Sequence, residues 1–288
     1  MILMATTIPL SQTPSLPAND DFDVIKTDTN LVTVNVAAIK KHRPVPGLSL
    51  ANFAISDNGK PVNPTFFEAD GPASIIFIID ISASMTGRKW TNLKDGLKEF
   101  LKRRKESDYT VITFNENPTL LAQSIPKDEF WKLFGRIKPK GETALYDALT
   151  TGLDQLGCLT RRRKAIVLLS DGEDTRSHAD LATVQEAVFH AHTTIYAIGI
   201  IIDSSQPDRY RGRDLLEQLA SSTGGVSFYP TAEQLGETLD RVSKEIEQQY
   251  SFGYYANDRT LGWRTIDVRL TPPMQDTSLR YQTRYLFK

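Results

Sequence analysis

Three short segments of the chain concentrate oxygen-bearing side chains: Asp80-Ile81-Ser82-Ala83-Ser84, Gly141-Glu142-Thr143 and Ser170-Asp171-Gly172-Glu173-Asp174. In the first, Asp, Ser and Ser stand at i, i+2 and i+4. Where a strand gives way to a turn, that spacing can aim all three side chains at one point. Asp80 and Asp171, with the hydroxyls of Ser82, Ser84 and Thr143, make a set of hard oxygen donors that contains neither Cys nor His. Such donors favour Mg2+, Mn2+ or Ca2+ over zinc. Mg2+ keeps several of its waters, so a protein cage with open positions is expected. The competing reading is capping, because Ser, Thr and Asp are common at helix starts and turns without any metal. Capping accounts for any one segment better than for all five positions together.

The surrounding pattern supplies elements able to position these residues. Ile75–Ile79 and Ala165–Leu169 are continuous apolar runs placed directly before Asp80 and Ser170, as expected of strands buried on both faces. Tyr109–Phe114, Thr194–Ile202 and Gly225–Tyr229 read as further strands. Trp90, Leu93, Leu97, Phe100 and Leu101 share one helical face, and so do Leu145, Leu149, Leu153 and Leu156. Leu181, Val184 and Val188 mark another helix, and Leu235, Leu239, Val242 and Ile246 a last one. Strands alternating with helices over residues 74–248 predict an α/β fold with a Rossmann-like, doubly wound, mostly parallel sheet. Ligands in such sheets bind beyond the carboxyl ends of the strands, where all three segments fall.

Both flanks return to a period of two. Val32, Val34 and Val36 alternate with Thr33 and Asn35, and Asp57-Asn58-Gly59-Lys60 is a strong hairpin signal. Ile266, Val268 and Leu270 alternate with polar residues, as do Leu279, Tyr281 and Thr283. Neither flank has enough strands to stand alone, so the two are expected to pair into one small β module. The organisation read here is a flexible leader over 1–29, an N-terminal β segment over 30–73, the α/β domain over 74–248 and a C-terminal β segment over 249–288.

The residues already named resemble those of a known family. D-x-S-x-S after an apolar strand, Thr143 within G-E-T-A-L-Y-D-A-L, and S-D-G-E-D after a second strand are similar to the von Willebrand factor type A (VWA) domain and its metal-ion-dependent adhesion site (MIDAS). The family pattern falls on Asp80, Ser82, Ser84, Thr143 and Asp171, with no position missing. The resemblance implies the VWA fold, a bound divalent cation and a non-catalytic adhesion module. The ion is left under-neutralised by two carboxylates and partly wet, so a protein partner is expected to supply an Asp or Glu to it. The flanks, with Pro46-Gly47-Leu48, Phe53 before the Asn-Gly turn, and Gln249-Tyr250-Ser251-Phe252-Gly253-Tyr254, resemble a bacterial VWFA-related family described mainly from Acidobacteria. Asn52 departs from that pattern, which has Asp there. Members of that family are commonly exported, so a periplasmic or extracellular location is the expectation. Residues 1–10 read either as a signal-peptide remnant or as a plain tail, and the second reading leaves a cytoplasmic location open.

Composition narrows the alternatives. With 34 basic and 35 acidic residues the formal charge is −1, so no global field favours nucleic acid. The basic runs Lys102–Lys105 and Arg161–Lys164 read as a solvated helix end and a loop, with a phosphate- or acid-binding patch as the alternative. The one cysteine, Cys158, permits no intrachain disulfide, and its apolar helical setting predicts a small buried thiol. No apolar stretch reaches the 18 residues of a transmembrane helix. Gly-rich phosphate loops and the G-x-S-x-G elbow of hydrolases are missing, and residue 82 is Ser where an Asp-nucleophile phosphatase has a second Asp. His178, seven residues past Asp171, is the imidazole with a route to the site. The alternatives to a binding module are a metal-assisted hydrolase or phosphotransferase, in which Asp171 or Glu173 activates water, and an accessory subunit of an AAA-type ATPase.

Overall fold

A computed structural model describes residues 31–103, 107–134, 137–200, 208–231, 233–256 and 260–287. The leader expected over 1–29 lies outside the described residues, as do Arg104 and Lys105 of the first basic run. No described helix is long and apolar enough to cross a membrane.

The first strands are β1 (Leu31–Lys40), β2 (Arg43–Pro44), β3 (Phe53–Asp57), β4 (Lys60–Pro61) and β5 (Phe66–Glu68). The central part runs β6 (Ser74–Asp80), α1 (Arg88–Arg103), β7 (Asp108–Phe114), β8 (Pro118–Ile125), α2 (Lys127–Phe134), α3 (Leu145–Gln155), β9 (Lys164–Ser170), α4 (Leu181–His190), β10 (Thr194–Gly199), α5 (Asp208–Ser222), β11 (Ser227–Phe228) and α6 (Leu235–Glu247). The chain closes with β12 (Tyr250–Tyr255), β13 (Gly262–Leu270), β14 (Thr277–Arg280) and β15 (Arg284–Phe287).

Six strands form the central sheet in the order β11-β10-β9-β6-β7-β8. All neighbours are parallel except β7 and β8, which pair antiparallel. Every residue of β6 is buried because successive side chains enter different cores. Ile75, Phe77 and Ile79 pack with Leu93 and Leu97 of α1, Phe130 of α2 and Leu239 and Val242 of α6. Ile76 and Ile78 face Leu145 and Leu149 of α3, Val184 of α4 and Leu216 of α5. Burying each such side chain contributes about 1.5–3 kcal/mol, so these two layers fix the strand ends that carry the site. The connection after β6 runs to β7 and the one after β9 to β10, on opposite sides of this central pair, which opens a crevice at their ends.

The flanking strands build two antiparallel sheets, β14-β1-β12-β5 and β15-β13-β3-β4. Val34 and Val36 of β1, Phe252 and Tyr254 of β12, Ile55 of β3 and Val268 of β13 meet in a third core. Asn58 and Gly59, at φ +47° and +75°, close the β3–β4 hairpin. A buried cluster anchors this core: Arg264 bonds both oxygens of Asp57 at 3.1 Å, and the Tyr285 hydroxyl donates to Asp57 at 2.9 Å. Polar contacts join the β sheets to the α/β part: Arg280 pairs with Glu245 of α6, and Gln282 donates to the Phe189 carbonyl at 2.9 Å.

Four local expectations change. Arg163 of the second basic run does not lie on solvated surface: it is buried and donates to the Gln249 carbonyl at 3.1 Å. Leu279 to Thr283 is not one strand: β14 pairs with β1 in one sheet and β15 with β13 in the other, so the chain changes sheet between Arg280 and Arg284. Strand β1 is buried on both sides from Val34 to Ala38, because Asn35 faces into the protein and accepts from Ser251 at 2.7 Å. Cys158 ends a 3-10 turn after α3 and is exposed, not buried.

Candidate metal centre

The crevice beyond β6 and β9 is built from three loops stitched together by backbone hydrogen bonds. Ile79 pairs with Leu169, so Asp80 and Ser170 emerge side by side. After Asp80 the chain turns through Ser82, whose extended backbone starts a 3-10 turn over Ala83–Met85. The N–H of Ala83 donates to the Gly141 carbonyl at 2.9 Å, and the N–H of Lys140 donates to the Ile81 carbonyl at 2.8 Å. Those two bonds hold the Gly141–Thr143 loop against the Asp80–Ser84 loop. Gly141 takes φ +82°, a conformation that favours glycine. The Thr143 carbonyl accepts from Thr175 and Arg176, and its N–H donates to the Thr175 hydroxyl at 3.0 Å, so the loop after β9 is tied to the same point. Thr143 is buried.

The side chains form one polar set. Asp80 is fully buried; its Oδ1 accepts the Ser82 N–H at 2.8 Å and its Oδ2 accepts the Ser170 hydroxyl at 2.8 Å. The Ser82 and Ser84 hydroxyls lie 3.0 Å apart. Ser82 is buried and Ser84 exposed, so the set opens to solvent on the Ser84 side. Burial, reinforced by the negative charge of Asp171, pushes the Asp80 carboxyl up from 3.8 to about 6. Asp171 is itself buried; its Oδ2 accepts a hydrogen bond from Lys89 Nζ at 2.8 Å, and among the described residues its Oδ1 finds no partner. Two neighbouring buried carboxylates, one with an unsatisfied oxygen, beside two hydroxyls are what a hard divalent cation needs and what a purely structural turn does not. The donor set thus fits the cation expected from the sequence.

The structure gathers Asp80, Ser82, Ser84 and Asp171 through side-chain bonds and electrostatics, and brings Thr143 in through its backbone ties. Two participants stood outside the five expected donors. Ser170 bridges Asp80 and the N–H of Gly172, at 2.8 and 3.0 Å. Lys89 lies 82 residues from Asp171 in sequence, and nothing local signals the pairing. His178 goes elsewhere: its ring bonds Asp147 of α3 at 3.0 Å and its side chain is 84% exposed. Asp174 serves as a cap, with Asp174 and the Ser177 hydroxyl accepting the free N–H of Tyr146 at the start of α3.

Comparison with known proteins agrees with this fold. The family profile described as von Willebrand factor type A domain matches residues 75–173. Inter-alpha-trypsin inhibitor heavy chain H2 of Homo sapiens is 26% identical over 215 residues, which make up 66% of this chain and 22% of that protein. The chain thus spans about a fifth of the length of this curated relative. A solved von Willebrand factor type A structure from Catenulispora acidiphila has a TM-score of 0.51 at 12% identity, covering 91% of this chain and 75% of that one. Proximal thread matrix protein 1 from the mussel byssus, solved with a zinc-occupied MIDAS motif, has a TM-score of 0.50 at 21% identity, covering 67% of this chain and 50% of that one. The chain carries a VWA domain.

Proposed function

We propose that this VWA-domain chain is a non-catalytic binding module in which Asp80, Ser82, Ser84, Thr143 and Asp171 hold a divalent cation, Mg2+ by preference, and through it a partner protein. The observation that supports the reading best is the buried Asp80–Asp171 pair, whose Asp171 Oδ1 is unsatisfied, at the sheet's switch point. When bound, the cation supplies a Lewis-acidic seat for an oxygen ligand from outside. Asp80 and Asp171 bring the charge. Ser82, Ser84 and Thr143 bring neutral oxygens, so no donor beyond the two carboxylates offsets the ion's charge, and coordination positions stay with water. The exposed position of Ser84 marks the direction from which a partner arrives, and an Asp or Glu, a hard oxygen donor, fits a water-held position of the cation there. Ser170 and the Ser82 N–H are positioning groups that hold both Asp80 oxygens in place. The zinc in the mussel protein supports occupancy by divalent ions in this fold; the all-oxygen donor set here favours Mg2+ or Mn2+. On the resemblance of the flanks, we place the protein outside the cytoplasm.

The test is capture of a binding partner by the immobilised chain, in Mg2+ and in EDTA, with wild type and Thr143→Ala. The reading predicts retention by wild type in Mg2+ alone and loss in the variant. A specific partner retained equally in EDTA would overturn it.

A further inference from the structure

Lys89 is an unusual residue for its place. It occupies the second position of α1, where the helix's positive end disfavours a cation, and it is 7% exposed. Burying an ammonium is costly unless it is paired, and its partner is Asp171 Oδ2 at 2.8 Å. Both local sequence and burial argue against a lysine here; among the described residues the Asp171 carboxylate compensates for it. With Asp80 and Asp171 ionised and Lys89 charged, the crevice carries a formal −1. A divalent cation added beside an unmoved Lys89 makes it +1, whereas departure of the ammonium makes it neutral. In a buried site the neutral arrangement is favoured.

We infer that Lys89 is a built-in competitor for the metal seat: its ammonium holds Asp171 while the site is empty of metal and leaves when the metal loads. This rests on the metal reading above and adds a property to it. Lys89 keeps two buried carboxylates compatible with folding in the absence of metal, and in doing so it raises the metal concentration at which the site fills. The ammonium reaches Asp171 from α1, not from the three loops that carry the donors, so its departure leaves their backbone bonds intact.

The experiment titrates Mg2+ into the full chain and compares wild type, Lys89→Met and Lys89→Arg. Met preserves the apolar stem and removes the charge; Arg preserves the charge. Competition predicts Mg2+ binding about tenfold tighter in Lys89→Met, within the span usual for coupled sites, and near wild type in Lys89→Arg. In parallel, amine acetylation of wild type read by mass spectrometry should find Lys89 protected in EDTA and reactive in saturating Mg2+. This second readout decides the question if Lys89→Met does not fold. Equal or weaker Mg2+ binding by a folded Lys89→Met, or protection of Lys89 unchanged by Mg2+ at saturation, overturns competition and leaves the metal site standing. Failure of both wild type and Lys89→Met to bind Mg2+ or Mn2+ overturns the metal reading itself and, with it, this inference.

Discussion

Replacing Asp80 by Asn should make the metal-free protein more stable, not less. The carboxylate is fully buried and its ionisation is pushed from 3.8 to about 6 by burial and by Asp171. That displacement corresponds to about 3 kcal/mol by which the folded state disfavours the ionised group at neutral pH. Asn keeps the shape and still accepts the Ser82 N–H. Ser170 loses the acceptor of its hydroxyl hydrogen, at about 1 kcal/mol. The net expectation is a gain of about 2 kcal/mol, or about 5 °C in Tm. The pH dependence has a definite direction. Because the folded state holds the Asp80 proton more tightly than the unfolded chain, its contribution to stability falls as pH rises from about 4 to about 6 and stays low above that. The difference between wild type and variant should therefore be small near pH 4 and fully developed at pH 7. Melting followed by circular dichroism in EDTA measures it. In Mg2+ at a hundred times its Kd the wild type recovers about 2.7 kcal/mol, whereas the variant, lacking one charged ligand, does not respond. The order of the two melting curves should thus invert between EDTA and Mg2+. A variant that melts below wild type in EDTA at pH 7 would refute the view that the site sets stability aside for binding.

Other perturbations probe the frame around the site. Gly172→Ala should cost more than about 2 kcal/mol and abolish the Mg2+ response in melting, because a Cβ at φ +86° would stand 2.4 Å from the Gly212 carbonyl oxygen and push the Asp171 loop off α5. Arg264→Met should cost about 3–5 kcal/mol in urea unfolding, since it strands the buried Asp57 carboxylate in the β core. His192, whose imidazole is lowered from 6.5 to about 4 chiefly by burial, should stay neutral in the folded state, so stability is lost as pH falls between those values at up to about 1.4 kcal/mol per pH unit. His192→Asn, which tolerates the φ of +46° at that position, should flatten that part of the melting profile.

The sheet was legible where burial on both faces forces continuous apolar runs, as in Ile75–Ile79 and Ala165–Leu169. Strand β8 was not, because an antiparallel edge strand opening on Pro118, with every residue half-buried or exposed, carries neither a long apolar run nor a clean alternation. Helix α2 was not legible either: it is eight residues long, and Phe130 and Phe134 at i, i+4, with Asp128 and Glu129 in its first turn, are too short a pattern to separate it from a loop. The period of two that ran through Leu279 and Tyr281 could not show that the chain leaves one sheet for the other near Gln282, whose side chain bonds the Phe189 and Arg284 carbonyls. At the candidate site, the oxygen donors sit in short patterns that sequence displays. Lys89 does not, since its partner is fixed only when β6 and β9 come together and α1 folds over them.

The central claim, a divalent cation held at the crevice of β6 and β9, is tested most directly by isothermal titration calorimetry of Mg2+ into chelator-stripped chain. The account predicts a single site per chain in wild type, weakened in Thr143→Ala and lost in folded Asp171→Ala. Binding heats unchanged by Asp171→Ala, or no binding of Mg2+ or Mn2+ by wild type, would contradict it.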